Sequence, residues 1–349
     1  MSTLPVTALA KPIPVTIIGG FLGAGKTTLL NHILSENHVL RAAVLVNDFG
    51  AINIDAKLVV GIDNETINLA NGCICCNIRD DLVGACLGIL KRPDPPDYLI
   101  IETSGVSNPI QIANTFLMPE LQQILALDSI LCVVDSEQFF DIPGESADLA
   151  RLQVEAADIV ILNKSDLVDG NRMELVKSQI REITPGSRML EANHGKVPLS
   201  LIFGMEGEGA GKKSPSVFYK YPVHATHHEF ETWHWTCERP LSLPKLRTVF
   251  ELLPESVYRA KGLVYLEEVP EYRVLLQKVG KRSKLRDFGK WGDESPRTEI
   301  VMIGTSGGLD QEAMRISLEG CVRQEHEEMN PVMRRESVAF RIPYRRSRQ

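Results

Sequence analysis

The chain has 349 residues, 44% of them hydrophobic and 24% charged, with 38 Lys and Arg against 45 Asp and Glu for a formal net charge of -7. That length allows two globular domains with sizeable cores, and the acidic balance disfavours a general affinity for nucleic acid. No apolar run approaches the roughly 20 residues of a membrane span, and "MSTLPVTALAKPIP" at the start holds no apolar block followed by a cleavage site, so a cytoplasmic protein without membrane association is expected.

Residues 1–14 read as a flexible N-terminus. From Val15 onward, short β-branched runs alternate with helix-like segments: "VTIIGG", "KTTLLNHILSEN", "AAVLVNDFG", "YLIIETSG", "SILCVVDSEQ" and "ADIVILNKSDL". Continuous apolar strands separated by helices predict an α/β domain over 15–204, with a mainly parallel sheet flanked by helices. Ligands in such a fold gather at the carboxyl ends of the strands. Residues 205–222, rich in Gly, Lys, Ser and Pro without periodicity, read as a linker. Beyond it, "HEFETWHWTCE", "VYRAKGLVYLEEV" and "RTEIVMIG" predict strands and "LDQEAMRISLEGCV" an amphipathic helix, giving a smaller α+β domain over 223–325. Residues 326–349, with six arginines in "RRESVAFRIPYRRSRQ", form a basic tail.

"GFLGAGKT", Gly20 to Thr27, satisfies the P-loop template G-x-x-x-x-G-K-[ST] and lies between an apolar strand and a helix pattern, the context the template demands. The first domain is therefore expected to be a P-loop NTPase. Gly20, Gly23, Ala24 and Gly25 let successive backbone N–H groups turn inward around phosphate oxygens, where the helix that follows points its positive end. Lys26 should reach the β- and γ-phosphates, Thr27 should ligate Mg²⁺, and Thr28 completes the phosphate-binding run. In "VILNKSDL", Asn163, Lys164 and Asp166 suit guanine: a carboxylate accepts from the ring N–H and the exocyclic amine together, and the lysine stem covers the ring. GTP is thus the expected nucleotide.

Two further carboxylates end strands. Glu102 in "YLIIETSG" is assigned to the Mg²⁺ water shell or to nucleotide sensing, with capping of the next helix as the alternative. Asp48 in "VNDFGAINID" belongs to a switch loop or to a simple turn. Lys26, Thr27, Glu102 and Asp48 form the candidate catalytic set. Asp135 has a similar strand-end position and no assigned role.

"NGCICC" packs Cys73, Cys75 and Cys76 into four positions of a chain with seven cysteines, an odd number that favours free thiols in a reducing compartment. Thiolates suit Zn²⁺, which favours four tetrahedral ligands. With only three thiols and no second pair, the site is expected to be exchangeable; a redox pair or core cysteines are the alternatives. Cys86, Cys132, Cys237 and Cys321 sit in apolar patterns and are expected in cores. His224, His227, His228 and His234 receive no metal role.

In order along the chain, the P-loop, "VNDFGAINID", "NGCICC", "ETSG" and "NKSD" resemble the CobW-like family of P-loop GTPases, relatives of the urease and hydrogenase metal-insertion GTPases. The likeness runs from Val15 to about Arg323, and includes the R-x-K-G strand at Arg259 to Gly262. It implies a GTP-hydrolysing chaperone that hands zinc from Cys73, Cys75 and Cys76 to a client metalloprotein. It also implies that Glu102 holds the Walker B position and that "LEANHGKV" borders the base. Many relatives carry a glutamate where this chain has Ala51, so a role there is absent. Intrinsic GTP hydrolysis should be slow, because no arginine finger stands in the motifs; a client or a second copy of the chain would supply one. Cobalt delivery for cobalamin synthesis, activation of a nitrile hydratase, and a signalling GTPase with structural cysteines are the competing functions.

Overall fold

The structure is a computed structural model that describes residues 12–36, 41–46, 66–68, 78–90, 95–122, 124–203 and 230–323. The chain divides into two compact units, Met1–Val223 and His224–Gln349.

In the first unit, strands β1 (Ile13–Gly19), β2 (Ala42–Val46), β3 (Thr66–Asn68), β4 (Tyr98–Glu102), β5 (Leu125–Asp135), β6 (Ile159–Asn163) and β7 (Arg188–Glu191) form one parallel sheet in the order β3-β2-β4-β1-β5-β6-β7. Every residue of β1, β2, β4 and β6 is buried, as strands covered on both faces must be. The helices are α1 (Lys26–Ser35), α2 (Ile78–Leu90), α3 (Pro109–Phe116), α4 (Pro119–Gln122), α5 (Gly144–Ala156), α6 (Gly170–Ile183) and α7 (Leu199–Phe203).

Helical spacing decides what these helices cover. Leu82, Cys86 and Ile89 recur on one face of α2 and pack with Ile112 and Phe116 of α3 onto Val15, Ile17, Leu45, Leu99 and Ile101. Met173, Val176 and Ile180 of α6 do the same against Cys132, Val134, Val160 and Leu162. Each such side chain contributes about 1.5–3 kcal/mol by leaving water. Thr16, in the middle of β1, bonds Tyr98 at 2.9 Å and Ser129 at 2.8 Å, so the three central strands share a satisfied polar link. Two caps set the helix starts: the side chain of Asn108 accepts from Ile110 N ahead of α3, and that of Asp169 from Arg172 N ahead of α6.

The second unit is an antiparallel sheet ordered β11-β10-β9-β12-β8, from β8 (Phe230–Cys237), β9 (Val257–Tyr265), β10 (Tyr272–Val279), β11 (Arg282–Lys290) and β12 (Thr298–Thr305). Helices α8 (Leu243–Glu251) and α9 (Gln311–Glu319) bury Leu246, Phe250, Met314 and Leu318 against Trp235, Ala260, Val264, Leu276, Ile300 and Met302. Gly262 is required by contact: a Cβ there would lie 2.4 Å from the Glu299 carbonyl oxygen of β12. Among the described residues, no helix is long and apolar enough to cross a membrane.

Of the cysteines expected in cores, Cys86, Cys132 and Cys321 are buried, but Cys237 is only half-buried, near the end of β8. Residues 1–11, the linker, His224, His227, His228 and the tail lie outside the described residues, and the exposed His234 lies within β8.

Glu268 replaces a side-chain cap at the start of α8. Its Oε1 accepts from Leu243 N at 2.9 Å, while Oε2 is buried without a hydrogen-bond partner. Burial raises its carboxyl above the ordinary range, and Glu267 adds to the effect. The folded form therefore binds the proton more tightly than the unfolded chain, and Glu268 costs stability as pH rises through that range. In Glu268→Gln, urea midpoints relative to wild type are expected to become more favourable from pH 4 to pH 8. All three tryptophans lie in this unit, so their fluorescence reports it alone; a difference independent of pH would refute the assignment.

Candidate nucleotide site

The carboxyl ends of β4, β1, β5 and β6 stand side by side, with Ile18 opposite Glu102, Gly19 opposite Cys132 and Asp135 opposite Asn163. The chain passes from β4 to β5 across β1, so this is the switch point where such sheets bind ligands.

Between β1 and α1 the backbone takes positive φ at Gly20, Gly23 and Gly25. Two of these admit no side chain: a Cβ on Gly20 would lie 2.2 Å from the Val133 carbonyl oxygen, and one on Gly25 2.2 Å from Asn163 Nδ2. Ala24 is buried, and Thr28 is exposed in the first turn of α1. Lys26 is 8% exposed, and its Nζ donates to the Phe21 carbonyl at 3.1 Å, so the ammonium is folded over its own loop. Thr27 Oγ1 donates to Glu102 Oε1 at 2.8 Å, which joins the hydroxyl at the start of α1 to a buried carboxylate at the end of β4. The next helix, α3, has Asn108 as its N-cap and not Glu102. The set fits a magnesium-bound triphosphate: a glycine cradle at a helix N-terminus, one ammonium, and two hard oxygen donors.

On the base side, Asn163 is 2% exposed and both ends of its amide are used. Nδ2 donates to the Ala24 carbonyl and Oδ1 accepts from Gly195 N, each at 2.9 Å. Ser165 N and Oγ both donate to the Ala192 carbonyl. The 192–195 turn, with positive φ at His194 and Gly195, thus lies against the P-loop helix; a Gly195 Cβ would be 2.7 Å from Leu29 Cα. Asp166 is exposed on the short turn Ser165–Leu167. Lys164, at φ 58°, donates from Nζ to Asp135 Oδ2 at 2.6 Å.

Asp135 is a partner that strand-end position alone did not identify. Its Oδ1 also accepts from Glu137 N and Gln138 N. Aligning "CVVD" with "VILN" as neighbouring parallel strands puts Asp135 opposite Asn163, one residue before Lys164. Gln153 of α5 also went unnoticed; its Nε2 donates to the carbonyls of Gly105 at 3.0 Å and Ser107 at 2.9 Å.

The expectation of a chaperone that binds zinc through the C-x-C-C segment and hands it to clients requires correction. Among the described residues, no group of three or more His, Cys, Asp or Glu is placed to hold a metal ion. Cys73, Cys75 and Cys76 lie outside the described residues, as does Asp48. The buried thiols within them are poor ligands, because desolvation pushes Cys86 and Cys132 up to about 12 and Cys321 up to about 11, and ligation requires the thiolate.

A glycine cradle ahead of α1, joined by an asparagine to the base-side turn, defines a P-loop nucleotide-binding protein. Family models match over residues 14–191 (CobW/HypB/UreG, nucleotide-binding domain) and 230–322 (Cobalamin synthesis protein cobW C-terminal domain). The chain belongs to the CobW/HypB/UreG family of P-loop GTPases. It is 32% identical to Zinc chaperone CobW of Pseudomonas aeruginosa, covering 89% of this chain and 92% of that protein. It is also 32% identical to Zinc chaperone YjiA of Escherichia coli, over 89% and 99%. Zinc-regulated GTPase metalloprotein activator 1 of Dictyostelium discoideum is 31% identical over 80% and 69%. A solved structure of Zn(II)-bound YjiA GTPase from E. coli is 27% identical with a TM-score of 0.45, covering 90% of this chain and 100% of that one.

Asn163→Ala removes the link between the P-loop and the 192–195 turn and leaves a buried carbonyl and a buried N–H unpaired, at about 1–3 kcal/mol each. The variant is expected to melt earlier and to bind GDP at least tenfold more weakly in calorimetric titration. Wild-type affinity would show that the link does not organise the site.

Proposed function

We propose that the protein is a Mg²⁺-dependent GTPase whose nucleotide cycle governs the handling of a metal ion for a client metalloprotein. The observation that carries the GTPase part is the joining, through Asn163, of the phosphate loop to the strand end that bears Lys164 and Asp166. Bound Mg²⁺ would neutralise charge between the β- and γ-phosphates. The N–H groups of the Gly20–Lys26 loop and the start of α1 cradle the phosphates, and Lys26 gives up its carbonyl partner for them. Thr27 and Glu102 hold the magnesium side. Asp166 accepts from the guanine edge, and Lys164 lays its stem along the ring. Gly20, Gly23, Ala24, Gly25 and Thr28 complete the contact set.

Turnover is slow on this reading. In the motifs 20–28, 98–105 and 163–166 the cations are Lys26 and Lys164, and Lys164 is engaged with Asp135. The names of the relatives support the metal-handling part, and zinc is the ion they suggest; no set of residues is proposed to hold it.

Phosphate release should proceed with GTP, at on the order of 10⁻⁴ to 10⁻² s⁻¹, and not with ATP. Lys26→Ala should weaken GTP binding roughly ten- to hundredfold, the value of a charge-assisted hydrogen bond. Equilibrium dialysis of zinc against protein loaded with GDP or a non-hydrolysable GTP analogue should give affinities that differ about 5- to 150-fold. Preference for ATP would reject the base assignment, and equal zinc affinity in both states would reject nucleotide control of the metal.

A further inference from the structure

Gln153 sits on α5, 0% exposed, and faces the segment that leaves β4. That segment runs from Glu102 through a turn closed by Ser107 N to the Ser104 carbonyl, and then enters α3. Both Nε2 protons of Gln153 are spent on it, on the carbonyls of Gly105 and Ser107. The amide orientation is unambiguous, because only the NH₂ end can face two acceptors. Its other end, Oε1, is buried without a hydrogen-bond partner, an unfavourable arrangement that calls for a reason on the donor side.

The turn also meets the P-loop. A Cβ on Gly105 would fall 2.7 Å from Leu22 N and 2.9 Å from Leu22 Cα, so the backbones of the turn and the P-loop touch. Gln153 thus fixes the 105–107 backbone where it touches the loop that would carry the phosphates, three residues beyond the carboxylate bonded to Thr27. Gln153 also lines a cavity of ≈ 180 Å³ together with Phe21, Leu22, Ala24, Cys132 and Val134, so the side chain borders free space behind the P-loop. A clamp with room beside it can hold the turn in one place or release it to another.

We propose that Gln153 is the positioning residue that sets the 105–107 turn against the P-loop, so that the γ-phosphate is distinguished from its absence. The inference rests on the GTPase reading. The strand that carries the base residues follows the same helix: two residues after α5, Asp158 N donates to the Ile130 carbonyl and Asp158 Oδ2 accepts from Ile130 N, both at 2.8 Å, which fixes the start of β6 against β5. A GDP-bound site needs the P-loop and the base residues. A GTP-bound site also needs the turn.

The full chain with Gln153→Glu tests this, since it keeps the shape but leaves at most one donor for two carbonyl oxygens. Fluorescent-nucleotide titrations should show GDP affinity within threefold of wild type and affinity for a non-hydrolysable GTP analogue lower by on the order of tenfold, with kcat for GTP falling ten- to a hundredfold. If both nucleotides weaken together, or neither changes while wild type hydrolyses GTP, the positioning role is overturned. Hydrogen exchange on wild type covers a variant that does not fold: exchanging GDP for the analogue should protect 103–108 and 150–156 together, and protection of the first segment alone overturns the role. A wild-type chain that binds no guanine nucleotide overturns the GTPase reading along with it.

Discussion

The nucleotide site depends on a carboxamide that is not free to meet a ligand. Asn163 is committed at both ends, to a P-loop carbonyl and to the N–H of Gly195, and Gly25 has no side chain because that carboxamide fills the space. The cradle is shaped from outside as much as by its own glycines. A P-loop of the same sequence lacking this asparagine would have its Ala24 carbonyl buried and unpaired, and the loop would turn to satisfy it. The phosphate end and the base end are therefore one structural unit.

Charge is arranged around the same constraint. Lys26 is buried with its ammonium folded over its loop and donating to a neutral carbonyl, and a phosphate oxygen can displace that partner because an anionic acceptor binds an ammonium more strongly than a neutral one. Lys164 is paired instead with a carboxylate, Asp135, which backbone N–H groups also hold. The two lysines thus differ in what a ligand must overcome. In the proposed site the first would exchange a neutral acceptor for an anion, whereas the second would lay its aliphatic stem along the base while Asp135 neutralises its charge.

Period and punctuation made the first unit legible: five of its seven strands are apolar runs that end in polar residues, and the P-loop lies between the first and its helix. The two remaining strands, Thr66–Asn68 and Arg188–Glu191, are edge strands, short and half polar, without a continuous apolar run to announce them. In the second unit, the residue pattern announces β8, β9, β12 and α9 but not the hairpin at Tyr272–Lys290. Arg282, Lys284 and Arg286 alternate there on an edge strand, and the buried Lys278 breaks the apolar pattern of β10. Among the candidate site residues, those that fall in a local template stand out in the sequence, Lys26, Thr27 and Asn163 above all. Asp135 and Gln153 act across strand and helix pairings, at sequence separations of 29 and 48, where no local signal exists.

Three loops converge at the carboxyl end of the sheet: 20–25, 104–107 and 192–195. Among the described residues, the first and third are linked by Asn163, and the second is clamped by Gln153. Both linkers are neutral amides, and a triphosphate site favours that choice. A lysine in place of Asn163, which touches the P-loop directly, would compete with Lys26 for the anion, and a glutamate there would repel it across a short, poorly screened distance. An amide donates and accepts without adding a net charge, so in the proposed site the potential at the ligand would be left to Lys26, the P-loop N–H groups and the start of α1. Loop geometry and site electrostatics are in this way set by different residues, which lets one loop move with little change in the field that holds the phosphates.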